Sequence, residues 1–372
     1  MSRIFLLFFM FFLIFTSCAT APEQKADETR KQAAPTHTES KYGLLVTPKS
    51  VEVFEVKKEE TKDLDKLFAE ANRLFDENQL EEAKKIYTGI IEADPDYKLA
   101  PFCRYNSGLI DIKLKNWESA ETNFEAAYEA MQKPADKRDS LLNWFEAARN
   151  VGFWEKISET GNKLIAGFQS NSFLSESDKR EISLRYAEAL IMTGNIGEGR
   201  RLADYWRLTI LKENPRHEAV YIPELALAYF VLGKSFVKEF NDLKLDETTE
   251  TLEEKCKKIV EAQAKFLKAI NVGVIFWTNA SAFEAAKLYT DLYAEMNSHP
   301  VPDDLTDEEK SVYECELWKK ISVLLKKSRK TLVKSIEAAK KIGEENEYID
   351  KSLEMIKEID DIYEEKENTC KN

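Results

Sequence analysis

Three times along the chain a small residue is followed, twelve residues later, by another, and this spacing constrains the fold more than any other feature of the sequence. Ala71 precedes Ala83, Gly108 precedes Ala120, and Ala187 precedes Gly199. In the first stretch, LFAEANRLFDENQLEEAKKIYTGIIEADP, Tyr87 stands one helical turn beyond the second small residue and Pro95 closes the unit. Phe124 and Ala127 hold the corresponding region of the second stretch, and Ala203 follows Gly199 in the third. Two antiparallel helices joined by a tight turn approach closely only where both present a small side chain, and an aromatic one turn later fills the gap toward the next pair. From Leu64 onward apolar residues recur at spacings of three and four, broken by short turns with Asn, Gly or Pro, and no run of alternating strands intervenes. The body is therefore expected to be all-α.

This spacing resembles the tetratricopeptide repeat (TPR), whose pattern places Gly or Ala at its eighth position, Ala at its twentieth, an aromatic at its twenty-fourth and Pro near its thirty-second. Residues 64–97 and 101–134 are similar to it, residues 180–213 match again, and residues 138–171 are degenerate, with Phe145 and Ile157 at the two small positions. Leu225-Ala226-Leu227-Ala228-Tyr229 opens a further unit whose first helix is expected to end at Gly233. The resemblance implies a right-handed α-solenoid of antiparallel helix pairs over residues 63–234. A repeat cannot bury its apolar face alone, so the pairs must stack continuously.

Residues 235–366 are expected to form a less regular helical region, with Phe236 to Glu254 as a loop or irregular helix end. Helices are expected from about Cys256 to Ile270 and from 277 to 297, and Thr306 with Glu309 reads as a capping box opening a long helix that Gly343 breaks. A last charged helix runs to about Lys366, leaving 367–372 as a disordered tail. The Pro-Val-Pro at 300–302, the Leu305-Thr306-x-Glu308-Glu309 start and the long amphipathic helix resemble the carboxy-terminal region of periplasmic repeat proteins in deltaproteobacterial envelope and gliding-motility complexes. That resemblance implies a scaffold role.

The amino terminus reads as an export signal over residues 1–17. Arg3 supplies the positive start and Ile4 to Phe15 an apolar run of twelve residues, short of the roughly 17 to 25 that span a bilayer. Phe15-Thr16-Ser17-Cys18 resembles the bacterial lipobox, with Phe15 where the family has Leu, Val or Ile. That resemblance implies that Cys18 is acylated and becomes the mature amino terminus; an ordinary signal cut near Ala19 or Ala21 is the alternative. Residue 19 is Ala and not Asp, which in such lipoproteins implies transfer to the outer membrane. Residues 18–62, rich in Pro, Thr, Ser, Lys and Glu, read as a lipidated tether. Within it Leu44-Leu45-Val46 and the alternation from Ser50 to Val56 mark a short extended segment, docked on the body or awaiting a partner strand.

Removing Arg3 with the signal takes the formal charge from −13 to −14. A balance this acidic repels nucleic acid and anionic headgroups and favours basic or extended protein partners. Beyond Cys18 the cysteines are Cys103, Cys256, Cys315 and Cys370, with no Cys-x-x-Cys pair. Four cysteines allow three pairings, so a disulfide and buried free thiols both remain open.

Nothing in the sequence assembles a catalytic, cofactor or metal site. His37, His217 and His299 lie far apart, and no Gly-x-Ser-x-Gly elbow occurs. The run Gly194-Asn195-Ile196-Gly197-Glu198-Gly199 lacks the preceding strand that a phosphate loop needs, and its place between two helices explains its glycines. Paired carboxylates such as Glu59-Glu60 read as solvated faces. The expectation is a non-enzymatic protein–protein interaction scaffold of the envelope. An accessory lipoprotein of cell-wall or outer-membrane-protein assembly and a carbohydrate-binding lipoprotein, which would need surface Trp, are the alternatives. Trp144, Phe153 and Trp154 cluster in the degenerate third unit and are the candidate partner-binding residues, should that unit open and expose an aromatic anchor.

Overall fold

The computed structural model describes residues 60–167, 174–215, 221–246, 249–298, 301 and 305–370. Among them are thirteen helices and no strand. They are α1 (Glu60–Asp76), α2 (Leu80–Ala93), α3 (Ala100–Lys113), α4 (Trp117–Ala130), α5 (Pro134–Val151), α6 (Trp154–Ala166) and α7 (Glu176–Met192). These continue as α8 (Ile196–Glu213), α9 (Pro223–Asp242), α10 (Thr249–Asn271), α11 (Ile275–Asn297), α12 (Asp307–Ile342) and α13 (Glu347–Thr369). The chain forms two compact units, and the division falls between Ala189 and Leu190, inside α7. It thus cuts the stretch that the sequence suggests is one continuous repeat array.

In the first unit α2 packs against α1 and α3, α4 against α3 and α5, and α5 against α6. The small residues behave as the spacing requires. Ala71, Ala83, Ala120 and Ala127 are fully buried, as are Tyr87 and Phe124. A methyl group on Gly108 would stand 2.8 Å from the Phe124 ring, so α3 and α4 meet there at a distance only glycine allows. The degenerate pair solves the problem differently. Phe145 and Ile157 are themselves buried, and the close approach moves to Gly161, whose added Cβ would lie 2.9 Å from that of Tyr186 on α7.

The turns repeat as well. Counted from residues 64, 101, 138 and 180, the same position is left-handed in every case: Asn78 (φ 60), Lys115 (φ 60), Gly152 (φ 82) and Gly194 (φ 98). At each, the following amide reaches back to a carbonyl five residues earlier, as in Gln79 to Leu74 (2.8 Å), Asn116 to Asp111 (2.8 Å), Phe153 to Ala148 (3.1 Å) and Asn195 to Leu190 (2.7 Å). This arrangement satisfies the carbonyls that a helix end leaves open.

In the second unit α9 packs against α8 and α10, α10 against α11, α11 against α12, and α12 against α13; α11 also touches α9 and α13. Three expectations are corrected here. Gly233 does not end a helix: α9 passes through it to Asp242, and a Cβ there would stand 2.4 Å from Phe266, so the glycine admits the α10 aromatic. Residues 236–242 and 249–254 are helical, because Val237 and Phe240 continue the buried face and Leu252 opens that of α10. The last helix reaches Thr369, and Cys370 is joined to Cys315, so the carboxy-terminal residues through 370 are held and are not a loose tail. The Thr306–Glu309 capping box forms, and Gly343 (φ 71) ends α12.

Candidate interaction surface

In the first unit polar side chains of alternate helices meet one another at depth. Asn72 Oδ1 on α1 accepts from Tyr87 Oη (2.5 Å) and from Asn106 Nδ2 on α3 (3.2 Å). Asn143 Nδ2 on α5 donates to Tyr105 Oη on α3 (3.1 Å). Burial pushes the Tyr87 and Tyr105 hydroxyls well above the usual tyrosine range, so both stay protonated. Asp111, fully buried, accepts from Lys84, from Ser119 Oγ (2.7 Å) and from Asn123 Nδ2 (2.9 Å), which saturates a charge that would otherwise be costly to bury. Arg149 on α5 reaches Glu146 (2.8 Å) and Glu181 on α7 (3.6 Å) while only 15% exposed. The Asn72–Asn106, Asn143–Tyr105 and Arg149–Glu181 contacts join successive first helices, and Asp111 ties α3 to the second helices on either side of it.

The second unit has a cleft of about 160 Å³ between α9 and α11. Lys234 and Glu284 face each other across it at 2.7 Å, each little more than a tenth exposed. Lys287 and Asp291 pair at 2.6 Å on its rim, and Val237, Phe283 and Leu288 supply apolar wall. Two cations and two carboxylates thus alternate around a small, partly apolar hollow. The cleft was hidden from the sequence because residues 236–254 read as loop, which removed Val237 and Asn241 from consideration. The signal was present in the run of α9, where apolar residues at 230, 231, 237 and 240 keep helical period beyond Gly233.

The candidate aromatic anchors separate. Trp144 is fully buried and its indole Nε1 donates to Glu121 Oε1 (2.7 Å), itself buried. Tyr128 lies 5.8 Å from its ring, and the ammonium groups of Lys156 and Lys163 cover it at 5.2 and 5.0 Å. Trp144 is therefore a core residue and is withdrawn as an anchor: a Trp on the inner face of α5 finds an acceptor and a lysine roof inside the pair. Trp154 is half-buried against the same core, and Phe153, at the start of α6, is exposed at 42%. Cys18 lies outside the described residues, as do His37, His217 and His299. Among the described residues no group of three His, Cys, Asp or Glu side chains gathers as a metal site requires.

Cys315 and Cys370 form a disulfide, while Cys103 and Cys256 are buried and outside any disulfide. No helix among the described residues is long and apolar enough to cross a membrane.

Comparison with protein families and with curated proteins returns no match. Among solved structures the chain is similar to the carboxy-terminal part of a TPR repeat-containing protein from Cytophaga hutchinsonii, at 11% identity over 81% of this chain and 98% of that one, with a TM-score of 0.38. It is also similar to a tetratricopeptide repeat protein from Parabacteroides merdae, at 14% identity over 79% and 99% of the two chains, with a TM-score of 0.37. Scores this low leave the reading of the surface to the chain's own residues. Those residues define an all-α protein built of TPR-like antiparallel helix pairs within each unit.

Proposed function

We propose that this chain is a non-catalytic scaffold for protein partners at a bacterial envelope, exported, acylated at Cys18 and held on the periplasmic side of the outer membrane. The cleft between α9 and α11 carries the scaffold reading. At about 160 Å³ it is smaller than the roughly 300–1,000 Å³ of a small-molecule site, and it suits one or two side chains of an extended segment. Its alternating charges recognise a segment that carries both signs, or a basic residue that competes for Glu284 and Asp291. The Cys315–Cys370 disulfide supports an oxidising compartment, since such bonds persist outside the cytosol. No Trp is exposed among the described residues, so nothing here favours carbohydrate binding.

Affinity capture from membranes tests the scaffold reading. With the full chain as bait, Lys287→Glu with Asp291→Lys is expected to weaken the dominant partner's capture at least about tenfold, consistent with loss of two close charge contacts. Capture indifferent to that double reversal and to Phe153→Ala would remove both candidate surfaces. The anchor is tested separately: Cys18→Ser should shift the chain out of the membrane fraction and abolish the acyl mass on its amino-terminal peptide.

A further inference from the structure

Several serine and threonine hydroxyls on the helices of the second unit bond back to a carbonyl of the preceding turn. Thr331 donates to Lys327 O (3.0 Å), Ser352 to Tyr348 O (2.6 Å) and Ser235 to Leu232 O (2.7 Å). Ser328 on α12 turns elsewhere. Its side chain is fully buried, and its Oγ points at the thioether Sδ of Met355 on α13, 3.9 Å away. Thr290 Oγ1 on α11 stands 3.9 Å from the same sulfur and divides its one proton between that sulfur and Lys287 O (2.8 Å). Hydroxyls from two helices thus converge on one sulfur of a third. A thioether accepts weakly, so it is a poor partner for a hydroxyl taken wholly out of water.

The sulfur is also within reach of small solutes. Met355 is half-buried, whereas Met131 and Met296 are buried. Met192 at the end of α7 is half-buried too, but among the described residues no hydrogen bond reaches its sulfur. Oxidation of a thioether to a sulfoxide adds an oxygen on a sulfur lone pair, and a hydrogen-bond donor approaches sulfur from the same side. An oxygen placed there takes one S–O bond length out of the 3.9 Å gap and arrives at ordinary O–H···O distance, about 2.5–3.0 Å, from the hydroxyl. A weak acceptor becomes a strong one where two donors already stand.

We propose that Met355 is a site of oxidation to methionine sulfoxide, with Ser328 and Thr290 receiving the new oxygen. The oxidant is hydrogen peroxide: its O–O bond breaks, one oxygen bonds to Sδ, sulfur gives up two electrons, and the other oxygen leaves with both protons as water. A sulfoxide ordinarily disrupts the packing around it, because an apolar side chain has become polar. At Met355 the added oxygen instead joins α13 to α12 and α11 by hydrogen bonds that the thioether makes only weakly. The second unit therefore takes up oxidant at this residue and keeps its fold. Neither the cleft between α9 and α11 nor acylation of Cys18 enters into it.

Mild peroxide treatment of the full chain, read by peptide mass spectrometry and thermal melts, tests this. Wild type, Ser328→Ala and Ser328→Ala with Thr290→Val are compared, with Met355→Leu as the baseline for oxidation elsewhere. The peptide carrying Met355 should gain one oxygen wherever the methionine is kept, and those carrying Met131 and Met296 should not. Oxidation should lower the wild-type melting midpoint no more than that of Met355→Leu. In the double variant it should lower the midpoint about 2–4 °C further, the effect of one acceptor left without donors in a unit of this size. Ser328→Ala should fall between, and it carries the comparison alone if circular dichroism shows that the double variant has lost helix. A Met355 that stays unmodified while Met192 is oxidised overturns the proposal. So does a midpoint that falls as far in the wild type as in the hydroxyl variants, or that falls in neither.

Discussion

A methyl group has no room at Gly233. The Phe266 ring against it is buried to 1% exposure and cannot swing aside. Gly233→Ala is expected to destabilise the second unit by about 1–3 kcal/mol through overpacking, and Phe266→Leu in the same chain should recover part of that loss in denaturant melts. At Lys115 the expectation has the opposite sign. Its φ of 60 is a conformation that costs an L side chain about 1–2 kcal/mol, and Lys115→Gly should raise the denaturation midpoint, the net gain being about 1 kcal/mol or less after the glycine's extra unfolded-state entropy. Both residues show what a sequence leaves ambiguous. Glycine marks a helix end and a close crossing alike, and only the continued apolar period at Val237 and Phe240 separates the two. Ala71, Ala83, Gly108 and Ala120 were legible because each comes with a partner at fixed distance. Trp144 was not, since composition cannot tell a buried indole with an acceptor from an exposed one.

Elements are joined at one point by charge as well as by packing. Glu239 on α9 receives Arg200 of α8 (2.7 Å) and Lys258 of α10 (2.9 Å). Burial works to raise the Glu239 carboxyl, but those two bonds outweigh it and hold it below the ordinary 4.5. The Lys258 ammonium is raised above 10.5, first by its bond to Glu239. A lowered carboxylate contributes stability above its unfolded value and loses it as pH falls through the folded one; a raised ammonium contributes below its unfolded value and loses it as pH rises. Thermal midpoints of the wild type and Glu239→Gln should therefore differ most at neutral pH, converge below pH 4.5, and draw only partly together above pH 10.5, where the bond from Arg200 persists. At this scale the sequence was informative wherever a local signal sat at the boundary. The Thr306–Glu309 box and Gly343 frame α12 as read. By contrast, α10 began at Thr249 and not near Cys256, because its first turns are polar outside Leu252 and carry no start signal beyond Thr249 itself.

Over the whole molecule, the all-helical fold was legible from periodicity, whereas the division inside α7 was not, because a helix that belongs to two units has the same residue pattern as one that belongs to a single unit. The disulfide was likewise beyond reading, since Cys315 and Cys370, 55 residues apart, become neighbours only when α12 and α13 fold back on each other. Reduction is expected to cost about 2–4 kcal/mol of stability, measurable as a lowered denaturation midpoint with dithiothreitol, whereas the Cys315→Ser chain should not respond. The two remaining thiols give this bond a history. Burial pushes the Cys103 thiol up to about 12, which leaves almost no thiolate to attack a sulfur near neutral pH. Cys103 is enclosed within α3 and Cys256 within α10, so once those helices are packed neither sulfur reaches the lasting pair. Packing thereby withdraws the wrong suitors, and among the described residues the union falls to the two sulfurs left at liberty.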